Sequence, residues 1–183
     1  MSDRYKILKG DAAYFVTFTI TDWIKVLADD SYKMIVVDSI RYCQMHKGLM
    51  VYGYCIMPNH VHMIMQATGE LSVSDILRDL KTFTSKAIIR KLESEKPAGY
   101  DIILARFKEA GQQLKRIERY KVWKDGNHAE CLYSNGFIKQ KMNYIHNNPV
   151  KAGLCSEPWE YIFSSATNYS ENDSLLEVCL LSV

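Results

Sequence analysis

Apolar and polar positions alternate along this chain in blocks that name its elements in turn. Residues 14–20 (Tyr-Phe-Val-Thr-Phe-Thr-Ile) are aromatic and β-branched and predict a strand. Residues 31–46 predict a helix, with Met34, Val37, Ile40 and Tyr42 near helical spacing and Ser31 as its cap. Two apolar runs follow, at 49–56 and 60–66, separated by Met57-Pro58-Asn59. Proline and asparagine favour turns, so the pair predicts two strands joined by a short loop. Residues 72–94 carry the longest helical pattern, with Val73, Ile76, Leu77, Leu80, Phe83 and Ala87 at three- and four-residue steps behind a Ser72 cap. Residues 101–121 are charged and ambiguous between helix and insertion, and Tyr120 to Trp123 predicts a short extended segment. Residues 136–148 predict a last helix, capped by Ser134 or Asn135 and stopped by Pro149. Beyond 154 the pattern is irregular.

The order strand, helix, strand, strand, helix, strand predicts an α+β fold: a ferredoxin-like antiparallel sheet with helices packed on one face. We expect one domain over residues 1–170 and a C-terminal tail over 171–183 to which the pattern assigns no role. The strand residues Val61, Met63 and Met65 form an apolar face, and its expected cover is the C-terminal segment or a second subunit.

Composition narrows the class. With 48% hydrophobic and 24% charged residues over 183 positions, disorder and fibrous folds are excluded. No apolar run reaches the length of a membrane span and the first residues lack a signal-peptide core, so the expected setting is cytoplasmic, with no membrane. Five scattered cysteines, never in CxxC spacing, argue against a zinc ribbon or a disulfide framework. The net charge of +2 hides a basic middle: residues 71–126 hold thirteen basic against eight acidic side chains. Such a stretch is either a solvated helical face or a surface for a polyanion.

Two spacings carry chemistry. His60 and His62 sit at i and i+2 of a strand, hence on one side of it, spaced to share a metal ion. The plain alternative is a pair of half-buried polar residues. Tyr144 and Asn148 sit at i and i+4 of a helix, one turn apart. The plain alternative there is amphipathic packing with Asn148 at a helix stop. Together they suit one reaction: a phenol is a poor nucleophile near neutral pH. A metal held by two imidazoles and the Asn148 amide oxygen polarises a phosphate for attack by Tyr144.

At this point the chain resembles a known family. Pro58-Asn59-His60-Val61-His62 is similar to the His-hydrophobic-His signature of the single-tyrosine, single-strand DNA endonucleases. Tyr144 through Leu154 (Tyr-Ile-His-Asn-Asn-Pro-Val-Lys-Ala-Gly-Leu) resembles the tyrosine-helix motif of their REP-associated tyrosine transposase branch. Residues 78–85, 122–128 and 159–169 also match, so the likeness spans roughly residues 12–169. Residues 95–119 look longer than in compact relatives.

The resemblance implies a ferredoxin-like fold with a metal site on the central strands. His60, His62 and Asn148 would bind Mg²⁺ or Mn²⁺. Tyr144 would attack a phosphate of single-stranded DNA, leaving a 5′-phosphotyrosine link and a free 3′-OH. The implied substrates are hairpins of repeated extragenic palindromes with single-stranded guides. A monomer is favoured, with a homodimer left open. The expected DNA contacts are Arg78, Lys81, Lys86, Arg90, Lys124 and Lys151. His46, a helix-end cap, and His128 and His146 are expected to lie outside the metal set. Two rival readings remain: a module that binds hairpin DNA or RNA without cutting it, and a metal hydrolase that uses bound water and no covalent intermediate.

Overall fold

The computed structural model describes residues 12–112 and 120–181. The residues before 12, the 113–119 part of the charged stretch and the last two positions of the C-terminal apolar stretch lie outside the described residues. The chain runs β1 (Tyr14–Thr19), α1 (Asp30–His46), β2 (Leu49–Ile56), β3 (His60–Ala67), α2 (Val73–Glu95), α3 (Tyr100–Gln112), β4 (Glu130–Cys131), α4 (Asn135–Lys151) and α5 (Ala166–Tyr169). The four strands form one sheet in the order β2-β3-β1-β4, with every neighbour antiparallel. This is the α+β, ferredoxin-like arrangement that the pattern predicts.

Register sorts the side chains into two faces. Val16 lies opposite Met63 and Phe18 opposite Val61, whereas Thr17 lies opposite His62 and Thr19 opposite His60. The first set joins Val36, Val37 and Ile40 of α1 and Ile76, Leu77 and Leu80 of α2 in the main core. The apolar face of β3 is thus covered chiefly by α1 and α2, not by a second subunit. Leu176 of the C-terminal segment adds to the same core and is 2% exposed. That segment is tied down by Arg41 Nη2 donating to the Leu175 carbonyl at 2.7 Å and by Cys179 N donating to the Val51 carbonyl at 2.8 Å.

The second face belongs to α4. Phe15, Cys55 and Ile64 pack there against Met142 and Ile145. Gly53 lets the helix close in, since a Cβ at that position would sit 2.6 Å from Met142 Sδ. A helix thus stands on the histidine side of the sheet, in addition to the two on the core side.

Local signals were read with a few shifts. Asp29, not Ser31, caps α1, because its carboxylate accepts from the Ser31 N–H at 2.8 Å. Ser72 caps α2 in a reciprocal capping box with Asp75, and Ser134 caps α4. Pro149 does not stop α4, which continues to Lys151. Proline removes only one N–H, and the last turn is closed instead by Ala152 N donating to Asn148 O and Leu154 N donating to Pro149 O, with Gly153 at a positive φ of 70°. The ambiguous charged stretch is helical over Tyr100–Gln112. The fourth strand lies at Glu130–Cys131, while Trp123 contributes a single bridge to Ile20.

Trp123 anchors that extended segment. Its indole N–H donates to Thr84 Oγ1 at 2.9 Å and its ring meets Phe18 at 4.9 Å, both in the core. Replacing it by phenylalanine keeps the ring contact and leaves the Thr84 hydroxyl short of one donor. We expect Trp123→Phe to cost about 1–2 kcal/mol of stability, measured by urea unfolding.

Candidate functional site

The strand period and the helix period converge on one cleft of about 590 Å³, lined by Phe15, Thr17, Thr19, Trp23, His60, His62, Lys124, His128, Lys141, Tyr144 and Asn148, among others. β3 is an inner strand, so His60 and His62 project side by side from the middle of the sheet, with ring centroids 4.6 Å apart. α4 crosses above them. Tyr144 is 43% exposed, and its ring stands edge-on to His62 at 5.1 Å and to Phe15 at 6.0 Å. One turn on, Asn148 Nδ2 lies 3.3 Å from His62 Nε2. The four residues singled out from the two spacings therefore share one site, although 82 positions separate His62 from Tyr144.

The imidazoles are oriented from behind. Asn59 Nδ2 donates to the Trp23 carbonyl at 3.2 Å, which turns Asn59 Oδ1 toward His60 Nδ1 at 2.7 Å. A carbonyl oxygen only accepts, so His60 carries its proton on Nδ1 and keeps its Nε2 lone pair for the cleft. Thr17 Oγ1 holds His62 Nδ1 at 2.7 Å, and Asn148 Nδ2 donates to His62 Nε2, so the same tautomer follows. Burial lowers the His60 pKa, against an Asn148 hydrogen bond that pulls it up. Burial, helped by the nearby charges of His60 and Lys141, lowers that of His62 to about 3. Both rings are neutral at ordinary pH.

Two neutral imidazole nitrogens and a carboxamide form a donor set that fits a divalent first-row ion. The amide oxygen of Asn148 would be its ligand atom, whereas in this structure the Nδ2 of that amide faces His62. Among the described residues, no group of three or more His, Cys, Asp or Glu side chains is placed to hold a metal. The two imidazoles and the carboxamide carry no charge of their own, and the carboxylates that line the cleft are Asp125, ion-paired with Lys121, and Glu130, ion-paired with Lys141.

Neutral burial has a consequence for pH. The unfolded chain protonates its histidines below about pH 6.5, while folded His62 stays neutral to about 3 and His146, lowered by burial alone, to about 4. A folded-state pKa below the unfolded one makes stability fall as pH falls. We expect metal-free protein to lose about 2 kcal/mol for each of these two histidines between pH 7.5 and 5, with the loss levelling off near their folded pKa values. Urea melts at the two pH values check this, and His146→Gln should shrink the difference.

The other expected residues divide. Lys124 lines the cleft, with Nζ 4.9 Å over the Trp23 ring. Lys86 and Arg90 line a neighbouring groove of about 600 Å³ along α2, which Lys124 also borders. Lys81 lines that groove, but its ammonium donates to the Lys124 carbonyl at 2.7 Å, the Gly126 carbonyl at 3.3 Å and Asn127 Oδ1 at 3.2 Å. It fastens the 124–127 loop. Arg78 is paired with Asp75 and Asp79, and it and Lys151 line neither cleft. His146 turns away to Ser165 Oγ at 2.9 Å, and His46 packs on Tyr42. His128 does line the cleft.

Sequence reasoning missed four participants. Thr17 orients His62, and only the register of β1 against β3 reveals it. Asn59 belongs to the Pro58–His62 motif, where spacing alone assigns it no role. Lys141, one turn before Tyr144, pairs with Glu130 at 2.8 Å and lies 4.4 Å over the Phe15 ring. Its spacing of three from Tyr144 was the available signal. Trp23 gave none.

The ferredoxin-like sheet thus holds this cleft between its inner strand and a crossing helix. The family described as transposase, IS200-like, matches residues 10–101. The chain belongs to the IS200-like transposase family. That match ends before α4, so Tyr144 and Asn148 rest on geometry and spacing. The fold is similar to a solved structure of a REP-associated tyrosine transposase bound to a REP hairpin, with a TM-score of 0.66 at 17% identity over 100% of this chain and 96% of that one. A structure from Deinococcus radiodurans R1, described as a candidate transposase, aligns over 80% of this chain and 96% of that one at 19% identity and a TM-score of 0.45. No curated protein matches the sequence. Among the described residues, no helix is long and apolar enough to cross a membrane.

Proposed function

We propose that this chain is a metal-dependent endonuclease and strand transferase for single-stranded DNA beside hairpins, with Tyr144 as nucleophile. The observation that carries this reading is the meeting of Tyr144, His60, His62 and Asn148 in one cleft. The Tyr144 phenol oxygen bonds to phosphorus as the bond from phosphorus to the 3′ oxygen breaks. The phenol gives up its proton and the departing 3′ oxygen gains one, so the exchange is neutral. The products are a 5′-phosphotyrosine and a free 3′-OH, and the reverse step rejoins strands without a nucleotide cofactor.

Mg²⁺ or Mn²⁺, held by His60, His62 and Asn148, would supply charge stabilisation at the phosphate oxygens. The protein's own contribution is orientation. Thr17 and Asn59 fix the two imidazoles, and packing of the Tyr144 ring on Phe15 and His62 holds that ring at the cleft. Lys124 places a positive charge at the rim for the backbone, and Lys86 and Arg90 extend that surface along α2 toward a hairpin stem. The solved relative with a bound REP hairpin supports DNA hairpins as the partner class. We read the acting species as a monomer in the cytoplasm.

The test is incubation with an end-labelled hairpin, carrying a single-stranded flank, from the host's palindromic repeats, with Mn²⁺, followed by a denaturing gel. Label travelling with the protein band is the expected result. Cleavage with no adduct would point to water as nucleophile, and tight binding with neither would leave a binding module. The uncharged donor set adds a second expectation. Because DNA phosphate supplies the anionic ligands, Mn²⁺ should bind at least tenfold more tightly when the oligonucleotide is present, read by isothermal titration with Tyr144→Phe protein.

A further inference from the structure

We propose that Trp23 is a stacking platform for one unpaired DNA base, set beside the phosphate that Tyr144 addresses. The inference rests on the reading above and adds a determinant of how the strand is seated.

Trp23 is 55% exposed and lines the same cleft as His60, His62 and Tyr144. Trp123, by contrast, is buried in the core, and Trp159 lines neither cleft. A solvent-facing indole adds little to the stability of a fold. This one is nonetheless held in place. Asp22 and Trp23 both have positive φ, at 54° and 58°, a region that side-chain-bearing residues occupy sparsely and keep only where their surroundings hold them. Thr21 N donates to the Val122 carbonyl at 2.8 Å, Ile24 N to the Thr21 carbonyl at 3.2 Å, and Asn59 Nδ2 to the Trp23 carbonyl at 3.2 Å.

The surroundings match a nucleotide. The half-exposed indole would offer a base the π face opposite the Lys124 ammonium, which stands over the ring 4.9 Å from its centroid. A base needs the first and its phosphate the second. The indole is also edge-on to His60 at 6.1 Å. Asn59 ties the two together, since one amide group holds the Trp23 backbone and the His60 ring. A base stacked on Trp23 therefore positions its neighbouring phosphate relative to the imidazoles. A base paired inside a duplex is stacked on both faces and has none to offer, so the platform favours unpaired DNA at this point.

The experiment is an abasic walk. A fluorescein-labelled hairpin from the host's palindromic repeats, with its single-stranded flank, is made in versions lacking one flank base each. Binding is read by anisotropy in EDTA, so that cleavage does not intervene. For the native chain, one abasic position should weaken binding roughly 5- to 150-fold. Trp23→Leu, which keeps apolar bulk without a π face, should weaken the intact probe by a similar factor and be indifferent to that same position. Trp23→Phe should restore most of the loss. Circular dichroism melts confirm that each variant folds, and a variant that does not is replaced by Trp23→Gln.

The proposal is overturned if Trp23→Leu binds the intact probe like the native chain, or if the losses from the variant and from every abasic position multiply independently. Adduct formation in Mn²⁺ is scored separately. Adducts together with unchanged binding by Trp23→Leu would remove the platform and leave the nuclease. Coupling at one base with no adduct would keep the platform and remove the nuclease, and no binding by the native chain would remove both.

Discussion

Tyr144→Phe is expected to abolish the covalent protein–DNA adduct, a loss of at least about a thousandfold in its rate, while hairpin affinity changes by less than about threefold. The substitution removes one oxygen. The ring keeps its edge-on contacts with His62 and Phe15, so α4 stays seated on the sheet. Tyr144 is 43% exposed, and its removal leaves no buried polar group unpaired. Any fall in stability should therefore be within about 0.5 kcal/mol. Single-turnover gels with Mn²⁺ measure the adduct, and anisotropy in EDTA measures binding. An adduct that persists in Tyr144→Phe would move the nucleophile elsewhere.

His62→Ala is the second large effect. It removes the more deeply buried imidazole, 3% exposed, and leaves only His60 and Asn148 of the proposed metal set. We expect adduct formation to fall at least about a hundredfold, and the further rise in melting temperature that Mn²⁺ adds to that of DNA alone to disappear. Thr17→Val separates orientation from ligation. Valine keeps the volume and removes only the hydroxyl that holds His62 Nδ1. Its expected cost is about 10- to 100-fold, partly recovered at high Mn²⁺. An adduct rate for His62→Ala within tenfold of the native chain would deny His62 a place in the metal set. Equal losses for Thr17→Val with and without excess Mn²⁺ would assign Thr17 to packing rather than ligand orientation.

Much of the site was legible because its two halves are local. The i and i+2 spacing of His60 and His62 fixes their shared side wherever a strand forms, and the i and i+4 spacing of Tyr144 and Asn148 does the same on a helix. Lys81 shows the limit of such reading. On a helical wheel it is one more basic residue, yet in the fold its ammonium is taken up by carbonyls of a loop more than forty residues away. Charge is visible in a sequence, but competition for that charge is not. Pro149 is another case: the stop signal was real for one N–H, and bonds from Ala152 and Leu154 outweighed it.

The amino-acid order alone determined β1, α1, β2, β3, α2 and α4, their succession and the two spacings, because each depends on interactions within a turn or two of backbone, whereas α3 and the place of β4 were not legible in it. Tertiary structure alone decided what those spacings meet. The β1–β3 register brought Thr17 behind His62, the bare backbone at Gly53 let α4 settle over the histidines, and the loop held by Asn59 turned Trp23 into the cleft. These contacts join residues far apart in sequence, and they form through packing and hydrogen bonds that no local periodicity encodes.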